Sequence, residues 1–347
     1  MTRLVVTGGG TGGHVFPALE IAREAISRGV EVRYLGSHRG QESEACREMG
    51  LPFLGFPTLP LYGLASLRGW RALLAFAKAR AAVAAEFRRE RPEAVISTGG
   101  YASAPVVAAA RTLGIPFVVH EQNAVPGRAN RILGRRAMAI ATVFRAAATH
   151  FPGSNVVRTG MPIRTELRRA AKSASSAGGH EVLVVGGSQG ARTLNEVAPM
   201  AASKLDPALR WLHLAGPGRE EEARSPHAGY RVEGARDAAG MADALASATL
   251  VVCRSGAGTL SELAAFGRQS VLIPYPHAFQ DHQTANAREF AEMGAAELLP
   301  ESEANPDRLA DAIAIRLALG DSNWKTALAE WDVPDAAARL LDLVWKN

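Results

Sequence analysis

The chain repeats one pattern. A short apolar run is followed by a turn of glycines and then by a stretch in which apolar positions recur every three to four residues. Arg3–Thr7 reads as a buried strand, Gly8 to Gly13 as the turn, and residues 18–28 as an amphipathic helix with Pro17 in its first turn and Gly29 closing it. A strand over 30–35 follows. Residues 51–62, rich in Pro and Leu, read as a loop with exposed apolar side chains, and 64–91 as a long Ala- and Arg-rich helix or helix pair. Ala94–Ser97 is the next expected strand, with Thr98-Gly99-Gly100-Tyr101 turning into a helix that ends near Gly114. A strand over 115–119 carries His120-Glu121-Gln122-Asn123 at its C-terminal end, where an open α/β sheet holds its ligands. A strand over 139–144 and a short segment over 156–161 complete this half.

After a small-residue stretch at 172–180 the device returns: strand Glu181–Val185, turn Gly186-Gly187-Ser188-Gln189-Gly190, helix over 191–205. Residues 249–287 then spell a βαβ unit. Leu250 to Cys253 is a strand, Ser255-Gly256-Ala257-Gly258 a tight turn, and a helix follows in which Thr259-x-x-Glu262 has capping-box spacing and Gly267 stands at the C′ position. A strand over 271–274 leads to another helix start near Asp281-His282-Gln283. The reading is an α/β protein of two Rossmann-like domains with a cleft between them. The expected divisions are 1–163, 164–334, and an amphipathic helix in 335–347 that packs back on the first domain.

Composition sharpens this. The length of 347 residues allows two cores, and 34 glycines suit many strand–loop–helix joints. Cys46 and Cys253 have no metal or redox spacing, so free thiols in a reducing compartment are expected. No secretory signal and no bilayer-spanning run is read from the sequence. The formal net charge of +5 conceals a split. Residues 1–150 hold 19 Lys and Arg against 10 acids, all of them Glu, a net of +9; residues 151–347 come to −4. Such a half suits an anionic partner surface.

Gly8-x-Gly10-x-x-Gly13 has the form of a dinucleotide fingerprint, but the end of the second strand reads Leu35-Gly36-Ser37-His38-Arg39, with no acid for a nicotinamide ribose. Only Arg39, as a partner for a 2′-phosphate, keeps an NADP enzyme open. His14 stands where a Walker lysine belongs. What remains is a row of backbone N–H groups before a helix, a cradle for some other diphosphate. No Asp-x-Asp pair and no His/Cys/carboxylate cluster has metal-ligand spacing, so no metal and no cofactor is expected.

Read together, Gly8-Gly9-Gly10-Thr11-Gly12-Gly13-His14-Val15-Phe16-Pro17, Ser97-Thr98-Gly99-Gly100-Tyr101, His120-Glu121-Gln122-Asn123, Gly186-Gly187-Ser188-Gln189-Gly190-Ala191, Cys253-Arg254-Ser255-Gly256-Ala257 and Asp281-His282-Gln283 resemble the MurG family over essentially the whole chain. These GT-B-fold transferases add N-acetylglucosamine to lipid-linked muramyl-pentapeptide. The resemblance implies that UDP-N-acetylglucosamine lies mainly on the C-terminal domain. Glu262 then takes the ribose hydroxyls, Ser188 and the N–H groups near Gly187 take the diphosphate, and the helix start Ala257, Gly258, Thr259, Leu260 and Ser261 lines the donor. Arg164 supplies a fixed cation against the leaving diphosphate, and Asn123 and Gln283 offer amides to sugar hydroxyls and the acetamido group, with Gln283 facing the sugar. Thr11, Gly12 and Gly13 lie where the two substrates meet. The general base is His14 or Glu121. Two places depart from the family pattern. Met161 replaces a common Asn, and Arg236 to Met241 lacks the aromatic and paired acids that usually border the nucleotide base.

The implied acceptor, an undecaprenyl-diphospho-muramoyl-pentapeptide, stays in the bilayer, so the protein is expected at the cytoplasmic face of an anionic membrane, without nucleic-acid partners. Leu61, Tyr62, Leu64, Leu67 and Trp70, interleaved with Arg68 and Arg71, are the expected contact, with Arg135 and Arg136 as a second basic pair. The same Leu67, Trp70 and Leu74 could instead be core at helical spacing. A glycosyltransferase acting on another lipid and a UDP-sugar 2-epimerase remain the nearest rivals.

Overall fold

Strand β1, Arg3–Thr7, is fully flanked. Leu4 and Val6 point into one apolar layer with Ile21, Tyr34, Leu340 and Leu341, while Val5 points into another with Leu35, Val83, Phe87, Val95 and Val106. Burial on both faces is what an all-parallel sheet demands. In this computed structural model, which describes residues 3–10, 12–38, 40–60, 66–174, 181–320 and 323–345, the chain divides into two compact units, residues 1–162 with 335–347, and 163–334.

The first unit contains β1, β2 (Glu31–Ser37), β3 (Phe53–Phe56), β4 (Ala94–Ser97), β5 (Phe117–Glu121), β6 (Ala139–Thr142) and β7 (Val156–Arg158), in the parallel order β3-β2-β1-β4-β5-β6-β7. The second contains β8 (Glu181–Val185), β9 (Arg210–Leu214), β10 (Tyr230–Glu233), β11 (Ala248–Cys253), β12 (Gln269–Leu272) and β13 (Ala296–Leu298), in the order β10-β9-β8-β11-β12-β13. Each sheet reverses its winding direction once, between β1 and β4 and between β8 and β11. Ligands of doubly wound sheets collect at that reversal, beyond the strands' carboxyl ends. All four loops there are glycine turns.

Several local expectations change. The first helix starts at Gly12 and runs to Ser27, so Pro17 lies inside it rather than in its first turn. Pro17 therefore cannot donate to the Gly13 carbonyl. The stretch read as a loop contains β3, whose Gly55 and flanking prolines hide the alternation. Residues 67–89 form one helix, begun by Ser66, whose side chain accepts from the Gly69 N–H. Thr259 and Glu262 are not a capping box. The helix Ala257–Phe266 begins two residues before Thr259 with Gly256 as N-cap, although Gly267 does close it in the left-handed conformation. Helix Ala336–Trp345 packs on Gly12–Ser27, and Arg28 pairs with Asp342 at 2.8 Å. Cys46 and Cys253 are free and buried.

Candidate active site

At the reversal of the first sheet, the loops after β1 and β4 are laced together. The Gly9 N–H donates to the Gly99 carbonyl at 3.3 Å and the Thr98 hydroxyl to the His14 carbonyl at 2.7 Å. Only glycine fits at 100, where φ is +83° and a Cβ would stand 2.0 Å from the Gly9 carbonyl oxygen. His14 Nδ1 lies 2.9 Å from the Thr98 carbonyl. A carbonyl only accepts, so Nδ1 carries the proton and, in the neutral ring, Nε2 carries the lone pair. Gly12 and Gly13 form the helix start beside it, and Thr11 lies outside the described residues.

The sequence pointed to an open row of amides here, and that reading is corrected. Gly9 spends its N–H on Gly99, and Gly10 donates to Glu42 Oε1 at 3.2 Å. Glu42, in helix Glu42–Met49, is fully buried beneath the loop and was missed by sequence reasoning. The loop is thus braced from below, and fewer amides face a ligand than its glycines suggest.

At the end of β5, His120 Nε2 donates to the Gly160 carbonyl at 2.9 Å, and burial pushes the imidazole pKa down to about 4. Glu121, 2% exposed, accepts from the Asn123 N–H at 3.0 Å, the Gly127 N–H at 3.2 Å and Asn130 Nδ2 at 2.7 Å. Burial raises its pKa while these donors pull it back. Its carboxylate fastens the segment 122–130. Asn123, half-buried, is held by this clamp through its backbone.

The remaining candidates lie in the second unit. Helix Ala257–Phe266 has no side-chain cap, and Leu260 N–H is the first used inside it, bonding Gly256 O at 3.0 Å. The amides of Ala257, Gly258 and Thr259 therefore point out along the axis as an anion-receiving end. Leu260 is buried in the core and Ser261 donates back to the Ala257 carbonyl at 2.8 Å, so neither side chain faces a ligand. Glu262 stands one turn further on. Arg164 Nη2 approaches its Oε1 to 3.5 Å, and burial raises the carboxyl pKa while Arg164 lowers it. Ser188 is exposed on the turn after β8. That turn is set by Gly190, whose Cβ would meet the Ala215 carbonyl at 1.9 Å, and by Arg219, which donates to the Gln189 carbonyl at 3.2 Å. Gln283 accepts the Tyr275 N–H on its Oε1 at 3.0 Å and the Ser255 hydroxyl on its carbonyl at 2.8 Å, so its side chain presents the NH2 end. Arg254 is tied to the Ile273 and Pro274 carbonyls and to Glu301; it frames the site without facing it.

The helix Leu67–Arg89 does not bury the residues that could have been core. Leu67 is 82% exposed, Trp70 57% and Leu74 61%, with Arg68 and Arg71 exposed among them. Leu61, Tyr62 and Leu64 lie outside the described residues, as does Arg39.

Known proteins match both units. The glycosyltransferase family 28 N-terminal domain matches residues 4–142 and its C-terminal domain residues 181–335. A relative from Solidesulfovibrio magneticus is 40% identical over 316 residues, covering 86% of this chain and 84% of its own. Another from Rhodospirillum rubrum is 39% identical, covering 98% and 91%. Both are named UDP-N-acetylglucosamine--N-acetylmuramyl-(pentapeptide) pyrophosphoryl-undecaprenol N-acetylglucosamine transferase. The crystal structure of Acinetobacter baumannii MurG matches with a TM-score of 0.78 at 31% identity, over 100% of each chain.

Proposed function

This chain belongs to the MurG family of glycosyltransferases, within family 28, and we propose that it moves N-acetylglucosamine from UDP-N-acetylglucosamine to the 4-hydroxyl of undecaprenyl-diphospho-N-acetylmuramoyl-pentapeptide. Transfer proceeds with inversion and without a metal ion. In the second unit Glu262 accepts from the ribose hydroxyls, and the amides of Ala257, Gly258 and Thr259, with Ser188 and Arg164, meet the diphosphate. The Gln283 NH2 donates to the sugar. In the first unit His14 is the base.

The acceptor oxygen attacks the anomeric carbon as the bond from that carbon to the β-phosphate oxygen breaks. The electron pair leaves with UDP, and the hydroxyl proton passes to His14 Nε2. Negative charge grows on the leaving diphosphate, where fixed amides and a guanidinium stabilise it without reorganising. The observation that carries the base assignment is the Nδ1 bond to Thr98, which orients the lone pair of Nε2. Glu121 is the poorer base because its oxygens are committed to three donors.

The enzyme works at the cytoplasmic face of an anionic membrane. No helix among the described residues is long and apolar enough to cross one. The exposed Leu67, Trp70 and Leu74, with Arg68 and Arg71 among them, support a peripheral contact.

The test is appearance of labelled sugar in butanol-extractable lipid, run in excess EDTA. His14→Ala is expected to lower kcat by about 100-fold or more while the KM for UDP-N-acetylglucosamine moves less than about twofold. A near-normal kcat removes His14 from the chemistry. Label found only as a free epimeric sugar restores the epimerase, and loss in EDTA that Mg²⁺ repairs rejects metal-independence.

A further inference from the structure

The first unit also contains a groove of about 590 Å³ lined by Arg111, Arg128, Arg131, Ile132, Arg135 and Arg136. Three elements build it. Arg111 stands in the last turn of helix Ala104–Thr112, Arg128 and Arg131 lie on the short helix Arg128–Leu133, and Arg135 and Arg136 on the 3-10 turn Gly134–Arg136. Several arginines elsewhere in this chain are matched by carboxylates, as Arg3 is by Glu31, Arg33 by Glu86 and Arg236 by Glu233. Arg111, Arg131, Arg135 and Arg136 have no carboxylate partner among the described residues, and residues 1–150 contain no Asp that might supply one. Like charges gathered this closely repel, and a bound anion relieves that repulsion. Guanidinium forks in particular match phosphate oxygens two at a time.

The short helix that supplies Arg128 and Arg131 to the groove also reaches the surroundings of the proposed base. Asn130, on the same short helix as Arg131, reaches back to Glu121 at 2.7 Å. Asn130 also borders Gly99, where a Cβ would stand 3.4 Å from Asn130 Nδ2 and 3.5 Å from His14 Nδ1. An acceptor whose 4-hydroxyl meets His14 bears its diphosphate on the opposite side of the same sugar ring, so a doubly charged group must be held one sugar's width away.

We propose that this arginine groove is the acceptor-diphosphate site: it binds the dianionic diphosphate linking sugar to lipid and so selects diphosphate-linked acceptors. The inference rests on the transferase reading above. A concave site with several forks suits a discrete diphosphate better than a bilayer surface, which meets projecting side chains.

The experiment uses the full chain carrying Arg131→Gln and Arg135→Gln. Both side chains are exposed, so the fold is expected to survive; Arg111→Gln, on another helix, is the second variant. With a water-soluble short-chain diphosphate acceptor, the double variant should raise the acceptor KM at least about tenfold. The KM for UDP-N-acetylglucosamine and kcat should change less than about twofold. Inorganic diphosphate should bind the wild type in calorimetry and compete with the acceptor, and both effects should weaken at least about tenfold in the variants. An unchanged acceptor KM with unchanged diphosphate binding overturns the proposal. So does a variant that loses only its sedimentation with anionic vesicles, which would make the groove a headgroup contact. If the wild type transfers to no acceptor, the transferase reading fails; calorimetry with inorganic diphosphate still reads the groove on its own.

Discussion

Glu262 is held where its charge is penalised. Burial raises its carboxyl pKa, and the Arg164 guanidinium at 3.5 Å only partly offsets this. It caps nothing, since the helix starts at Gly256. A partly buried acid with a raised pKa and a single cation beside it fits the proposed ribose contact. Glu262→Ala is therefore expected to leave the melting point unchanged or higher. Losing a hydrogen bond to a charged group costs about 1.5–3 kcal/mol, so UDP affinity should fall by roughly 10- to 100-fold. A 2′-deoxyribose donor should lose less than the ribose donor; equal losses, or a falling melting point, would sink the role. The place of Glu262 on the helix after β11 was legible because the whole βαβ unit is contiguous. Glu42 was not. In sequence it is one of three glutamates in a charged helix, and only the return of the chain places it under Gly10.

Among the elements, the glycine turns and buried strands were readable because each combines a run of apolar residues with a backbone that only glycine adopts. Strands β3, β9 and β10 were not, since Gly55, His213 and the charges of Tyr230–Glu233 break any apolar run. His213 shows what such a residue does inside. Asn195 Nδ2 donates to the Ala215 carbonyl, so its Oδ1 accepts from His213 Nε2–H at 3.1 Å, and His213 Nδ1 accepts from the Tyr230 hydroxyl at 2.7 Å. Burial lowers the His213 pKa from 6.5 to about 4. The unfolded chain then binds the extra proton between those values, so stability contributed by the neutral ring is present above pH 6.5 and is lost as pH falls towards 4. Between pH 7 and pH 5 this amounts to about 2 kcal/mol, on the order of one and a half pKa units. His213→Asn should be less stable at pH 7 yet lose less between pH 7 and pH 5 than the wild type in urea titrations. A parallel loss in both proteins would place the acid sensitivity elsewhere.

For the whole molecule, charge and exposed apolar surface coincide in one half of the sequence. Residues 1–150 carry the net +9, and they include Leu67, Trp70 and Leu74 with Arg68 and Arg71. Each basic residue near an anionic bilayer contributes about 1 kcal/mol, screened by salt. Sedimentation with vesicles should rise with anionic lipid, fall with salt, and drop at least about tenfold in Leu67→Ser/Trp70→Ser, two apolar side chains worth about 1.5–3 kcal/mol each when buried. Unchanged sedimentation of the folded double variant would remove Leu67 and Trp70 from any membrane contact. The first unit is also discontinuous, because helix Ala336–Trp345 returns to cover Gly12–Ser27 after the second unit has been traversed. On a ribosome the order of completion is therefore reversed. The second unit, one uninterrupted segment, can finish folding while the nascent first unit still lacks Leu340, Leu341 and Val344 from its apolar layer. The unit that exposes Leu67, Trp70 and Leu74 thus becomes fully packed only when that last helix has been synthesised.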